Sequence, residues 1–116
     1  MLESLPDETD LTRSIRTACL NSRGAFPNAD EMSERLGLSV RTLHRRLAQE
    51  GKHYQDIVDD VRRSLAEEFL RNTSLSIEEV ASRIGFSEAS NFRKAFRKWT
   101  GHAPGSFREA ARSPGH

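Results

Sequence analysis

Apolar positions in this chain recur at helical spacing in short segments, each closed by a glycine or by a few small polar residues. From Ser76 to Gly101 the pattern is clearest. Ser76 followed by Glu79 is a capping-box signature for a helix start. Val80, Ala81 and Ile84 then lie on one helical face, and Gly85 supplies the left-handed residue that turns the chain. Ser87 is the expected N-cap of the next helix, whose apolar stripe is Ala89, Phe92, Ala95, Phe96 and Trp99 and whose end is Gly101. Ala81, four residues before Gly85, is small enough for the two helices to cross closely. Two short helices joined by a tight glycine turn form the pattern of a helix-turn-helix.

The unit occurs twice. Asn28 or Asp30 starts a helix carrying Met32 and Leu36, Gly37 makes the turn, and Ser39 caps a helix carrying Val40, Leu43 and Leu47 that Gly51 closes. RLGLS at 35–39 aligns with RIGFS at 83–87, a spacing of 48 residues. Leu43 and Leu47 align with Phe92 and Phe96 once a single residue is inserted in the second copy, and Ser33 takes the place of Ala81. Two copies make an internal duplication, too few for a stacked array.

Three more helices complete the pattern. One is expected from about Asp10 to Ser22, with Leu11, Ile15, Ala18 and Cys19 on one face. Between the copies, Tyr54, Ile57, Val58, Val61, Leu65, Ala66, Phe69 and Leu70 hold the helical period without a glycine or proline. That stretch predicts a rod of roughly 27 Å, on the scale of the roughly 34 Å turn of a DNA duplex. A short last helix opens at Pro104. The expectation is an all-α protein of about seven helices. A flexible lead-in covers 1–9, a first helix-turn-helix subdomain 10–52, a linker helix 53–72, a second subdomain 73–112 and a frayed tail 113–116.

Composition narrows the chemistry. The 116 residues are 35% hydrophobic and 30% charged, with a net charge of only +1, so bulk charge does not specify a partner. Distribution does more: Glu88 to Arg112 holds six Lys/Arg against two Glu, while the first ten residues hold four acids and no Lys or Arg. A nucleic-acid surface near the C-terminal end follows. Cys19 is the single cysteine, so no intrachain disulfide is possible, and its place on an apolar stripe marks it as core. No apolar run approaches the ~20 residues that span a bilayer, so no membrane association is expected and a cytoplasmic location is. His44, His53, His102 and His116 lack zinc-ligand spacing, and neither a glycine-rich phosphate loop nor a serine nucleophile elbow is present. Neither catalysis nor a cofactor is expected.

The ordered string Arg62-x3-Ala66-x3-Leu70, then SIEEVASRIGFSEASNFRKAFRKWTGHAP, then Ser106-Phe107-Arg108 resembles the C-terminal DNA-binding domain of AraC/XylS-type bacterial transcriptional regulators. The resemblance covers about Asn28 to Arg108. It implies seven helices in two helix-turn-helix subdomains joined by a long helix, asymmetric promoter sites in double-stranded DNA, and in many members activation through contact with RNA polymerase. Ser33 departs from the usual alanine. Most members also carry an upstream effector-binding domain, to which nothing in these residues corresponds.

A recognition helix buries one stripe and offers the N-terminal part of the opposite face to the major groove. With Leu43 and Leu47 buried, Val40, Arg41, His44 and Arg45 are the base-reading candidates of the first copy. Arg41 and Arg45, four apart, are each suited to the bidentate contact with guanine O6 and N7. With Phe92, Phe96 and Trp99 buried, the candidates of the second copy are Ala89, Ser90, Asn91, Arg93 and Lys94, where Asn91 suits adenine. Ser39, Thr42, Arg46, Ser76, Ser87 and Arg97 are candidates for phosphate, which sets register without reading sequence. Glu88 suits a helix start but repels phosphate. Arg62, beside Asp59 and Asp60 in the rod, is expected to tie the two halves together rather than to touch DNA. The competing functional reading is a helical interaction module that docks RNA polymerase with weak DNA contact. The isolated domain is expected to be monomeric.

Overall fold

Helix starts follow the short polar residues. In the computed structural model, which describes residues 9–112, Thr9, Asn28, Ser39 and Ser76 each accept a backbone N–H three residues on, from Thr12, Glu31, Thr42 and Glu79. Asn28 and Ser76 complete capping boxes with Glu31 and Glu79. These caps open α1 (Asp10–Asn21), α2 (Ala29–Leu36), α3 (Val40–Gln49) and α5 (Ile77–Arg83). The other helices are α4 (Tyr54–Asn72), α6 (Ala89–Thr100) and α7 (Pro104–Ala111), and no strand occurs among the described residues.

The all-α architecture of seven helices expected from the sequence is therefore the one observed. Chain contacts divide it into two compact units after Val61, inside α4. The expected linker helix is thus shared, its first part belonging to one core and its second part to the other. Of the expected lead-in 1–9, residues 1–8 lie outside the described residues, as does the tail 113–116. Thr9 belongs to the fold: besides capping α1 it donates to Glu50 at 3.0 Å, and Thr12 reaches the same carboxylate.

The first unit buries Ile15 and Cys19 of α1, Met32 of α2, Leu43 and Leu47 of α3, and Ile57, Val58 and Val61 of α4. Its seams are polar. Arg16 pairs with Asp60 at 2.6 Å, and Tyr54, buried, donates its hydroxyl to the Pro27 carbonyl at 2.6 Å. Burial, reinforced by neighbouring Cys19, pushes the Tyr54 phenol far above its ordinary pKa. The tyrosine therefore stays neutral and holds the loop ahead of α2.

The second unit is built on Ala66 and Leu70 of α4, Val80 and Ala81 of α5, Ile84, and Phe92 and Phe96 of α6. Phe96 stands edge-on to Phe107 of α7, with ring centroids 5.4 Å apart. Trp99, expected in the core, is only half-buried and lies tilted against Phe86 and edge-on to Phe96 at the margin. It falls near the end of α6, where less of the neighbouring structure covers the stripe. Arg62 lays its guanidinium 5.1 Å from the Phe86 ring centroid, a contact within this second unit. Arg108 closes the end of α4 by donating to Leu70 O at 3.0 Å, to Phe69 O and to Thr73 O. The first two are among the last carbonyls of α4, and Phe69 O also accepts from the Thr73 amide at 3.1 Å and the Thr73 hydroxyl at 2.6 Å.

The duplication extends to the backbone of the turns. Leu38 N bonds Ser33 O and Phe86 N bonds Ala81 O, both at 2.9 Å and both at the 48-residue offset. Gly37 (φ 71°) and Gly85 (φ 92°) take the left-handed conformation that this closure requires. Ser33 and Ala81 are both buried, as close helix crossing demands. The Ser33 hydroxyl is satisfied by the Asp30 carbonyl of its own helix at 2.8 Å, so the serine leaves no unpaired polar group in the core.

One cap differs from expectation. Glu88, and not Ser87, occupies the N-cap of α6, and its side chain makes no capping bond. The inserted residue of the second copy is the reason. Ser87 lies at the offset of Ser39, but the extra residue at 88 places it one position too early to reach the first amides of α6.

Candidate nucleic-acid interface

Leu43 and Leu47 turn inward at a spacing of four, and that leaves the other face of α3 for solvent. Arg41, His44, Arg45 and Arg46 are exposed, and no hydrogen bond or ion pair engages their side chains among the described residues. Arg41 and Arg45 share a face, one turn apart. Val40 is half-buried at the start of the helix. Ser39 is occupied at its cap: its Oγ accepts from Thr42 N at 3.0 Å and donates to Thr42 Oγ1 at 2.9 Å. That bond uses the Ser39 proton and leaves the Thr42 hydroxyl proton available, so Thr42 is the better donor of the pair.

Sequence reasoning did not single out the groove beside α3. Its walls are His44 and Ala48 of α3, Asn28 and Ala29 at the start of α2, and Lys52 to Gln55 at the start of α4, enclosing about 610 Å³. Three basic side chains, His44, Lys52 and His53, line it. The signal in the sequence was the KH pair directly after Gly51, which carries no motif of its own.

In the second unit Phe92 and Phe96 turn inward, and Ser90, Asn91, Arg93 and Lys94 are exposed, with Ala89 half-buried. Lys94 and Arg97 are exposed and unpaired among the described residues. Arg93 is not: its Nη2 lies 3.2 Å from Oε2 of Glu78 in the first turn of α5. Glu78's carboxyl is held below the usual carboxylate range by its own backbone amide and then by Arg93, and that of Glu79 by the Ser76 amide and hydroxyl. The Ser76 oxygen accepts from Glu79 N at 3.0 Å, and its hydroxyl donates toward the Glu79 carboxylate, so Ser76 is engaged at its cap. Ser87 is exposed in the turn. Each unit thus carries most of its candidates on its second helix, with Ser76 at the start of α5 and Ser87 in the turn before α6. Chemically, the α3 surface offers three unpaired guanidiniums, and α6 offers short amide and hydroxyl groups, the paired Arg93, and the unpaired Lys94, Arg97 and Lys98.

A helix-turn-helix domain model matches residues 32–110. The chain is 41% identical over 110 residues to the ornithine utilization regulator of Pseudomonas aeruginosa, covering 95% of this chain and 32% of that protein. Among solved structures, it is similar to the DNA-binding domain of AdpA, a global transcriptional factor, in complex with a target DNA. That match has a TM-score of 0.76 at 27% identity and covers 93% of this chain and 100% of the other. A transcriptional regulator with an AraC-type DNA-binding domain from Chromobacterium violaceum shares the fold, with a TM-score of 0.78, 23% identity and coverage of 90% and 95%. The chain spans about a third of the length of the curated relative.

Proposed function

The chain belongs to the AraC-type family of helix-turn-helix DNA-binding transcriptional regulators, and from that premise we propose that α3 and α6 read one double-stranded promoter site in successive major grooves. The family is one of regulators and not of enzymes. The observation that carries the proposal is the set of exposed, unpaired cations on α3, above all Arg41 and Arg45. A guanidinium held by a carboxylate of its own protein is neutralised toward DNA; these are not.

In this reading Arg41, Arg45 and His44 contact base edges, Val40 supplies apolar contact, and Arg46 and Thr42 hold the backbone. In the second copy Ser90, Asn91 and Arg93 face bases with Ala89, Lys94 serves a base or a phosphate, and Ser87 and Arg97 serve phosphates. Ser39 and Ser76 act mainly as caps. Continuity of α4 over 19 residues, about 28 Å of helix, supports a single site read by both copies. The protein acts in the cytoplasm as a monomeric domain and activates transcription through contact with RNA polymerase. No helix among the described residues is long and apolar enough to cross a membrane.

Selection of binders from a random duplex library tests the proposal. One enriched asymmetric motif is expected, bound with an affinity that falls by orders of magnitude between about 50 and 200 mM salt. Recovery of no motif, or binding indifferent to salt, overturns it. Transcription in vitro from the selected site, with and without the protein, checks the activating role.

A further inference from the structure

Arg93 and Glu78 lie 15 residues apart in sequence, on different helices, and meet at 3.2 Å. The internal duplication supplies a control for this contact. The 48-residue offset puts Asp30 where Glu78 stands, and with the residue inserted at 88 it puts His44 where Arg93 stands. No ion pair joins Asp30 and His44, and His44 is free on its helix surface. The shared fold therefore does not require the contact; it belongs to the second copy alone.

We propose that Glu78 determines the selectivity of the second recognition helix by neutralising and orienting Arg93. This rests on the DNA-reading proposal above and deepens it. A guanidinium carries five N–H donors in a fixed plane, and Glu78 engages the Nη2 end. The remaining donors stay available to the paired acceptors on a guanine edge, and the tether limits the rotamers that must be frozen on contact. Toward the phosphate backbone the same pair has no net charge, so it releases no counterion and adds nothing to sequence-independent affinity. Within the second copy, Lys94 and Arg97, exposed and unpaired among the described residues, are left to supply that affinity, while the tethered Arg93 discriminates. Glu78 is thus a positioning residue that acts through Arg93.

Two substitutions at this exposed position separate the tether from simple charge. E78D keeps the negative charge at the start of α5 but is one methylene too short to hold Arg93; E78A removes both. Affinities for the selected site and for a random duplex are measured across a salt series, in the wild-type chain and in an R93Q background. Both variants are expected to bind the random duplex several-fold more tightly, with the log–log salt slope steeper by about 0.9, as one added phosphate contact requires. The ratio of selected to random affinity falls accordingly, and in the R93Q background neither variant changes anything. A gain that persists with R93Q, or that appears for E78A but not E78D, is charge at a distance and overturns the proposal. A selective wild-type chain whose E78D and E78A variants match it also overturns this inference, and leaves the DNA-reading proposal standing. A wild-type chain that prefers no duplex removes both.

Discussion

Arg45 lies on the exposed face of α3, one turn from Arg41, and no carboxylate among the described residues reaches it. An arginine that makes a bidentate contact to a guanine is worth about 1–3 kcal/mol of discrimination. Arg45→Ala is therefore expected to cost about that much on the selected site and to relax one base position. Repeating the duplex selection with the variant checks it, and an unchanged motif removes Arg45 from the readers. At the other extreme of burial, Phe96 is 0% exposed and touches Phe92, Trp99 and Phe107. Phe96→Ala is expected to destabilise the second unit by about 3–5 kcal/mol, read from a denaturant melt. Which residues face inward was legible because the helical period reports it directly. Which exposed charges pair was not. Glu78 meets Arg93 across 15 residues and Glu50 meets Thr9 across 41, and no local pattern encodes contacts that depend on tertiary placement.

At the scale of elements, the turns were the most legible feature, because Gly37 and Gly85 mark them and the amide directly after each glycine closes each one. The start of α6 was less so. Aligning the copies requires one extra residue between Ser87 and Phe92, but apolar spacing alone does not say which position takes it. The structure puts it at 88, and α6 begins without a side-chain cap. Glu88 already has the extended backbone of an N-cap (φ −136°, ψ 135°), and its side chain is one methylene longer than that of the preferred aspartate. Glu88→Asp preserves charge and backbone while offering an oxygen to the first amides of α6. It is expected to stabilise the chain by about 0.5–1 kcal/mol, raising the denaturant midpoint with no change in slope. A midpoint that does not move would mean that solvent already satisfies those amides.

For the whole molecule, the limit of legibility lies in α4. Its apolar positions run without interruption from Tyr54 to Leu70, so the sequence reads as one rod, whereas contacts assign Ile57, Val58 and Val61 to one core and Ala66 and Leu70 to the other. An unbroken helical period records that each position is covered and does not record by what. The shared helix has a consequence for the proposed site. If a continuous helix couples the two units and both read one duplex, the two half-motifs in the selected site must keep a set helical phase. Inserting about five base pairs between them rotates one half by roughly half a turn, and inserting about ten restores the phase at a greater distance. The five-pair insertion is expected to reduce affinity to that of a single half-motif. The ten-pair insertion should recover none of it, because α4 is not extensible by a further turn of DNA, about 34 Å. Titrating the chain against these duplexes by fluorescence anisotropy checks this. Full affinity for both would mean that the two units engage DNA independently, and the coupling assigned to α4 would have to be abandoned.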